Sequence, residues 1–320
     1  MQRWRGVDNA PAGWGRCVVT AGVFDGVHRG HQQIIGRAVE RAAEAGLPSV
    51  VLTFDPHPSE VVRPGTHPPM LTSQRYKAEL IEALGVDALC VVPFTEQFSR
   101  LDPEDFSHAV LVEHLHAATV VVGENFRYGH KASGDVHVLA ASGRRFGFTV
   151  EAMPVQGSTE TTWSSTYVRS CVDAGDVVRA AAALGRDHRV EGVVVRGDQR
   201  GRTLGYPTAN LQPLPWSAVP ADGIYAARLV RGTGAAGRPR EALPAAVSIG
   251  SNPTFAGRER RIEAFVLDFD GDLYGEHIGL DFAERLRPML RFEGEQALRD
   301  QMSLDVTRTR DVLGRDHPNE

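Results

Sequence analysis

Gly22-Val23-Phe24-Asp25-Gly26-Val27-His28-Arg29-Gly30-His31 lies at the end of a strand-like run at 17–24 and leads into 32–45, where Ile34, Ile35, Ala38, Ala42 and Ala45 recur on one helical face. A strand, a glycine-bearing turn and an amphipathic helix are the elements of a βα unit. The same alternation continues outward. Candidate strands lie at 17–24, 49–54, 88–94, 119–123 and 148–153, with periodic segments between them. One such segment opens at Asp102-Pro103-Glu104-Asp105, an N-cap followed by proline at the first helical position. This pattern predicts an α/β doubly wound parallel sheet. Ligands of such folds bind where strands end and loops enter helices, which is where 22–31 falls.

The second half changes character. Strand-like runs at 190–195, 224–230, 245–249, 262–269 and 278–282 are punctuated by glycine and proline, which predicts a small antiparallel β-barrel. A terminal helix is expected from about Glu293, with Leu298, Met302, Val306 and Leu313 near one face. Residues 165–185 read as helix, turn at Gly175, and helix, and 232–237 as a hairpin loop. The expected domains are 1–186 and 187–320.

Composition narrows the class. A hydrophobic fraction of 42% and a charged fraction of 23% over 320 residues are those of a globular protein of about two domains. The net charge of -5, with scattered Lys and Arg, gives no basic surface for nucleic acid. Cys17, Cys90 and Cys171 fit neither a disulfide framework nor a zinc site, and Cys90 reads as a small buried hydrophobe. No apolar run reaches the roughly 20 residues that span a bilayer, and no apolar stretch follows Arg3 and Arg5. The expectation is a cytoplasmic protein with no membrane partner.

The chemistry of 22–31 follows from its residue types. Glycines at 26 and 30 let the backbone approach a ligand, and a helix N-terminus presents free N–H groups to phosphate. His28 and His31, three apart, share a helical face and can donate to oxygens that gain charge during nucleotidyl transfer. On the residues alone, a solvated turn or a metal site also fits.

These ten residues resemble the His-x-Gly-His signature of the nucleotidylyltransferase superfamily. The variant with Phe24-Asp25-Gly26-Val27 resembles bacterial bifunctional riboflavin kinase/FAD synthetases. The resemblance extends through Phe54-Asp55-Pro56-His57-Pro58, through Val121-Val122-Gly123-Glu124-Asn125-Phe126-Arg127-Tyr128-Gly129, and through Ser164-Ser165-Thr166-Tyr167-Val168-Arg169. It implies that Gly22, Phe24, Asp25, His28 and His31 handle ATP, with His28 and His31 on its phosphates. It implies that Asn125 helps place the reacting groups beside the flavin. It also implies that Ser164, Thr166 and Arg169 form a second phosphate motif. A guanidinium at 169 suits phosphate in its own right, and the serines also suit a helix cap. Pro56, His57 and Pro58 can wall a flavin ring, although a strand-ending turn explains them as well.

A second constellation lies in the barrel half. Residues 197–205 are rich in glycine and arginine, can cradle phosphates, and lack the Gly-Lys-Ser/Thr of a P-loop. In Tyr206-Pro207-Thr208-Ala209-Asn210, Thr208 and Asn210 face the same way on an extended backbone. Their oxygens suit Mg2+, while an ordinary loop remains the alternative. The run resembles the riboflavin kinase signature. That resemblance implies ATP contacts at Gly201, Arg202, Gly205, Thr208 and Asn210, with Thr208 and Asn210 as Mg·ATP ligands. In Arg261-Ile262-Glu263-Ala264-Phe265-Val266-Leu267-Asp268-Phe269 it places the catalytic base at Glu263, a carboxylate apt to take a proton from a ribityl hydroxyl. A polar residue on the exposed face of a strand is the plainer reading of Glu263. Phe265 stands where the family commonly has histidine. Gly250-Ser251-Asn252-Pro253-Thr254-Phe255 and Asp272-Leu273-Tyr274-Gly275 also match, and Arg287, Arg291 and Phe292 fall in the flavin-side segment.

The resemblance implies phosphorylation of riboflavin by ATP in the second half and transfer of AMP to FMN in the first. Riboflavin, FMN and ATP would be substrates, FAD the product, Mg2+ the metal, and apo-flavoproteins the recipients. The alternatives are an enzyme with one activity lost, a nucleotidylyltransferase for another small phosphate, and a flavin-binding protein without turnover.

Overall fold

The computed structural model describes residues 1–11, 13–154, 163–197, 205–232, 241–254 and 257–315. Two compact units emerge, Met1–Pro68 with Gln74–Ser164, and Pro69–Ser73 with Ser165–Glu320.

The first unit is a six-stranded parallel sheet. Its strands are β1 (Gln2–Arg5), β2 (Cys17–Ala21), β3 (Ser49–Asp55), β4 (Ala88–Pro93), β5 (Ala117–Gly123) and β6 (Thr149–Met153), in the order β1-β4-β3-β2-β5-β6. The Val-, Ala- and Leu-rich runs of β2, β3, β4 and β5 suit strands covered on both faces. On one face Ile35, Ala38 and Ala42 of α1 (Arg29–Ala45) are buried, as are Ala78 and Ile81 of α3 (Gln74–Glu82), α2 being the short Pro58–Val62 between them. On the other, Phe106, Val110, Leu111 and Leu139 pack with Val19, Leu52, Cys90 and Val120. The short α4 (Glu96–Ser99) and α5 (Pro103–Asp105) lead into a π-wound stretch, Phe106–His114, and α6 (Val136–Phe146) follows β5. From β2 the chain moves to β3 on one side, and β5 flanks β2 on the other. The crevice at the carboxyl ends of β2 and β5 is therefore the topological switch point.

The doubly wound sheet expected from the sequence is present. Two details differ. β1, absent from the sequence reading, pairs parallel with β4, Trp4 lying opposite Cys90. The helix expected after Asp102 begins with the predicted cap, Asp102 Oδ1 accepting from the Asp105 N–H at 2.8 Å, but continues with π winding. All three cysteines are free and buried, and burial pushes the Cys17 and Cys90 thiols up to about 12.

The second unit is a closed barrel. Its strands are β7 (His188–Val195), β8 (Ala209–Pro213), β9 (Gly223–Arg231), β10 (Glu241–Thr254), β11 (Gly257–Val266) and β12 (His277–Arg287), in the order β10-β11-β8-β7-β12-β9. Every pairing is antiparallel. The barrel predicted from the sequence is thus observed, with β8 added where a loop was the alternative. β9 and β10 pair as a hairpin through Arg231 and Glu241, whose connection at 233–240 lies outside the described residues. α7 (Ser165–Ala174) and α8 (Val177–Leu184) flank a left-handed Gly175, and α8 packs on β7 and β12. The terminal helix α9 (Glu295–Arg315) packs on β9, β10 and β12. Leu313 joins Ile224, Ala226 and Leu286 there, and Asp305 takes a bidentate pair of hydrogen bonds from Arg287. Both partners of that pair are nearly buried, so each charge relies on the other.

Candidate active sites

The first site grows out of β2. Gly22 closes the strand, its N–H donating to the Leu52 carbonyl at 3.0 Å. The chain then turns sharply, with positive φ at Phe24 (50°), Gly26 (83°) and Val27 (41°). A left-handed β-branched residue is strained, and Val27 is held in that state by complete burial. His28 is the N-cap of α1, its Nδ1 accepting from the His31 N–H at 3.4 Å. In a neutral imidazole this leaves the proton on Nε2, so the ring's far edge is a donor. The His28 and His31 rings stack with centroids 3.6 Å apart and planes at 25°, and Phe24 meets His31 edge-on at 5.2 Å. Gly30 backs the pair so closely that an added Cβ would lie 3.2 Å from His28 Cε1.

Beside this turn lies a cavity of about 740 Å3 that includes Gly22, Val23 and Asn125. Its walls are aromatic, with Phe54, Phe94 and Phe98 in mutual edge or tilted contact and Phe126 stacked on Tyr128 at 5.4 Å. Phe94 and Phe98 were not among the sequence candidates, because a lone aromatic after a strand reads as core. Pro58 lines the cavity. His57 caps α2, its Nδ1 accepting from the Ser59 N–H at 3.1 Å, and Pro56 follows Asp55 through a cis peptide. Asp25 is buried. Ser164 closes the first unit, whereas Thr166 and Arg169 lie on α7 in the second, where Arg169 Nε donates to the Pro69 carbonyl at 2.7 Å.

The second site is set by strand register. β8 pairs with β11 so that Asn210 stands directly opposite Glu263. Thr208, two residues before Asn210, lines two cavities at once. One, of about 440 Å3, includes Pro207, Phe269, Asp272 and Tyr274. The other, of about 260 Å3, includes Glu263, Phe265, Tyr206, Arg287, Phe292 and Met302. Glu263 and Phe265 therefore share the outer face of β11, toward α9, while Ile262, Ala264 and Val266 fill the barrel core, and Phe265 meets Tyr206 edge-on at 5.1 Å. Arg287 is in this wall with its guanidinium committed to Asp305, while Arg291 is exposed. Gly205 is left-handed at φ 85°, and Gly201 and Arg202 lie outside the described residues.

Gly197 makes room for Asn210. A Cβ there would fall 2.3 to 2.4 Å from the Asn210 carboxamide atoms. Gly197→Ala is expected to displace that amide and, on the riboflavin kinase role that the motif implies for Asn210, to lower FMN formation by about 10²-fold, the scale of a misplacement near 1 Å. Steady-state kinetics of FMN formation, and of FAD formation from supplied FMN as the control, checks this.

Comparison with known proteins matches the two halves to two families and the whole chain to bifunctional relatives. The FAD synthetase family matches residues 10–167, and the riboflavin kinase family matches residues 184–313. A bifunctional riboflavin kinase/FMN adenylyltransferase of Escherichia coli K12 is 34% identical over 319 residues, covering 99% of this chain and all of that one. The chain belongs to this bifunctional family. The member from Listeria monocytogenes is 39% identical over 298 residues, covering 92% of this chain and 91% of its own. A solved structure described as a macrolide-efflux protein from Streptococcus pneumoniae superposes with a TM-score of 0.86 at 30% identity, over 97% of this chain and 99% of that one. Among the described residues of the present family member, no helix is long and apolar enough to cross a membrane.

Proposed function

We propose that the chain converts riboflavin and ATP to FMN and ADP in residues 187–320, and FMN and ATP to FAD and pyrophosphate in residues 1–186. The observation that carries the kinase reading is Thr208, which lines both cavities of the barrel while Glu263 lines one of them. A nucleotide in the larger cavity and a flavin in the smaller would meet at Thr208, with a carboxylate on the acceptor side to take the hydroxyl proton. Thr208 and Asn210 fit Mg2+, since both offer hard oxygen donors and Gly197 leaves a cradle that a Cβ would fill. Bound there, Mg2+ supplies charge neutralisation of the transferring phosphate.

Adenylyl transfer is supported by the stacked His28–His31 pair at the switch point, beside a cavity whose aromatic walls suit an isoalloxazine ring. The imidazoles donate to phosphate oxygens as the FMN phosphate attacks the α-phosphorus, and no covalent enzyme intermediate is required. Asn125 sits on the flavin side of this turn, and the family motif assigns Ser164, Thr166 and Arg169 to phosphate. The enzyme would work in the cytoplasm and release FAD to apo-flavoproteins. Incubation with riboflavin, ATP and Mg2+, followed by separation of the flavins, should yield both FMN and FAD. If neither formed, this assignment would be wrong.

A further inference from the structure

Lys77 is a lysine with almost no access to solvent. It lies on α3 between Tyr76 and Ala78, both buried, at 1% exposure. Its Nζ donates to the Val23 carbonyl at 3.1 Å and to Thr53 Oγ1 at 3.4 Å, and the Thr53 hydroxyl donates to the same carbonyl at 3.0 Å. Three residues earlier on the same helix, Gln74 Nε2 donates to the Phe54 carbonyl at 3.1 Å and to Asp55 Oδ1 at 3.3 Å. Side chains at i and i+3 share a helical face. α3 thus braces the carboxyl end of β3 with one prong and the turn after β2 with the other.

The carbonyl it holds belongs to the peptide joining Val23 to Phe24, where the backbone enters its left-handed turn. In a trans peptide the C=O and the following N–H point in opposite directions. A Val23 carbonyl fixed inward on Lys77 and Thr53 therefore turns the Phe24 N–H outward, at the point where Gly22 and Val23 line the cavity. Outward N–H groups at a strand-to-helix turn are what a polyphosphate binds. A buried ammonium is an expensive way to fill this space, since Met or Leu would pack there without desolvating a charge.

We propose that Lys77 is a positioning residue for adenylyl transfer, holding the 23–24 peptide in the orientation that presents the Phe24 N–H to the triphosphate. This rests on the adenylyltransferase reading of the first unit and names a residue that the site's sequence motifs leave out. The charged groups facing Lys77 are Asp25 and Asp55, both of which favour its ammonium form. Burial is the larger influence and pulls the amine down to about 8. The brace is thus protonated below that pH and loses its charge above it.

The test compares Lys77→Met and Thr53→Val with the unaltered protein, supplying FMN for FAD formation and measuring riboflavin phosphorylation in the same preparation. Lys77→Met should lower kcat for FAD formation by about 10²-fold, with KM for FMN and kinase turnover nearly unchanged. Thr53→Val should lower the same kcat by a smaller factor, because Lys77 still holds the carbonyl. In the unaltered protein kcat should fall as pH rises through about 8, and Lys77→Met should lack that limb. A Lys77→Met enzyme with unaltered kcat and pH profile would overturn the proposal. So would a loss confined to KM. If Lys77→Met fails to fold, reported by circular dichroism, the pH profile of the unaltered protein decides: a kcat for FAD formation that does not fall as pH rises through about 8 refutes the proposal. An unaltered protein that formed no FAD would instead refute the adenylyltransferase reading itself.

Discussion

Glu263→Gln is expected to lower FMN formation by about 10³-fold while leaving FAD formation from supplied FMN intact. Glutamine has the shape and hydrogen-bonding reach of glutamate but cannot accept the ribityl proton. The register of β8 on β11 puts Glu263 opposite Asn210 and on the wall of the smaller cavity, so its loss touches chemistry more than packing. Flavin binding should persist, and fluorescence titration with riboflavin measures it. A variant that kept phosphorylation within tenfold would show that another group, or water alone, takes the proton. The two activities in one chain provide the control: damage to the fold at large would depress both.

His28→Asn is the counterpart in the other half. Asparagine is among the preferred N-cap residues, so α1 keeps a cap while the imidazole is removed. Stability should change by less than about 1 kcal/mol, because the His28–His31 bond it replaces is long at 3.4 Å. FAD formation should fall by about 10² to 10³-fold, the usual loss when one donor to a developing charge is deleted. Combining it with His31→Asn should give less than the product of the single losses, since the rings touch at 3.6 Å and act as one unit. Near-normal FAD formation by His28→Asn would remove the imidazole pair from the mechanism.

Much of this was legible in the amino-acid sequence for a physical reason. Strands buried on both faces, such as β3 and β5, must be continuously apolar, and α1 must repeat its apolar residues at 3 and 4, so both leave strong patterns. β1 left none, because four residues with Trp4 alone buried are too few to set a period. β8 was obscured by the proline and glycine before it and by its short length. The π winding of 106–114 is invisible for a related reason, since it changes the hydrogen-bond step without changing composition. At the sites, motif residues could be named, but their opposition could not. That Asn210 faces Glu263 depends on register between strands far apart in the chain. Lys77 is the sharpest omission: a lysine on an amphipathic helix ordinarily reads as solvated, and only the fold shows it turned inward.

Residues Pro69–Ser73 carry a consequence for how the protein can be made. They sit between α2 and α3 in the chain yet belong to the second unit, where the Met70 N–H donates to the Trp216 carbonyl at 2.6 Å and the Ala218 N–H donates to the Met70 carbonyl at 2.8 Å. On the ribosome this strip emerges long before its partners exist. The first unit must therefore close around a loop whose hydrogen bonds are still owed to unsynthesised chain. No single cleavage separates the two enzymes either, since a fragment starting at Ser165 lacks the strip that residues 216–218 pair with.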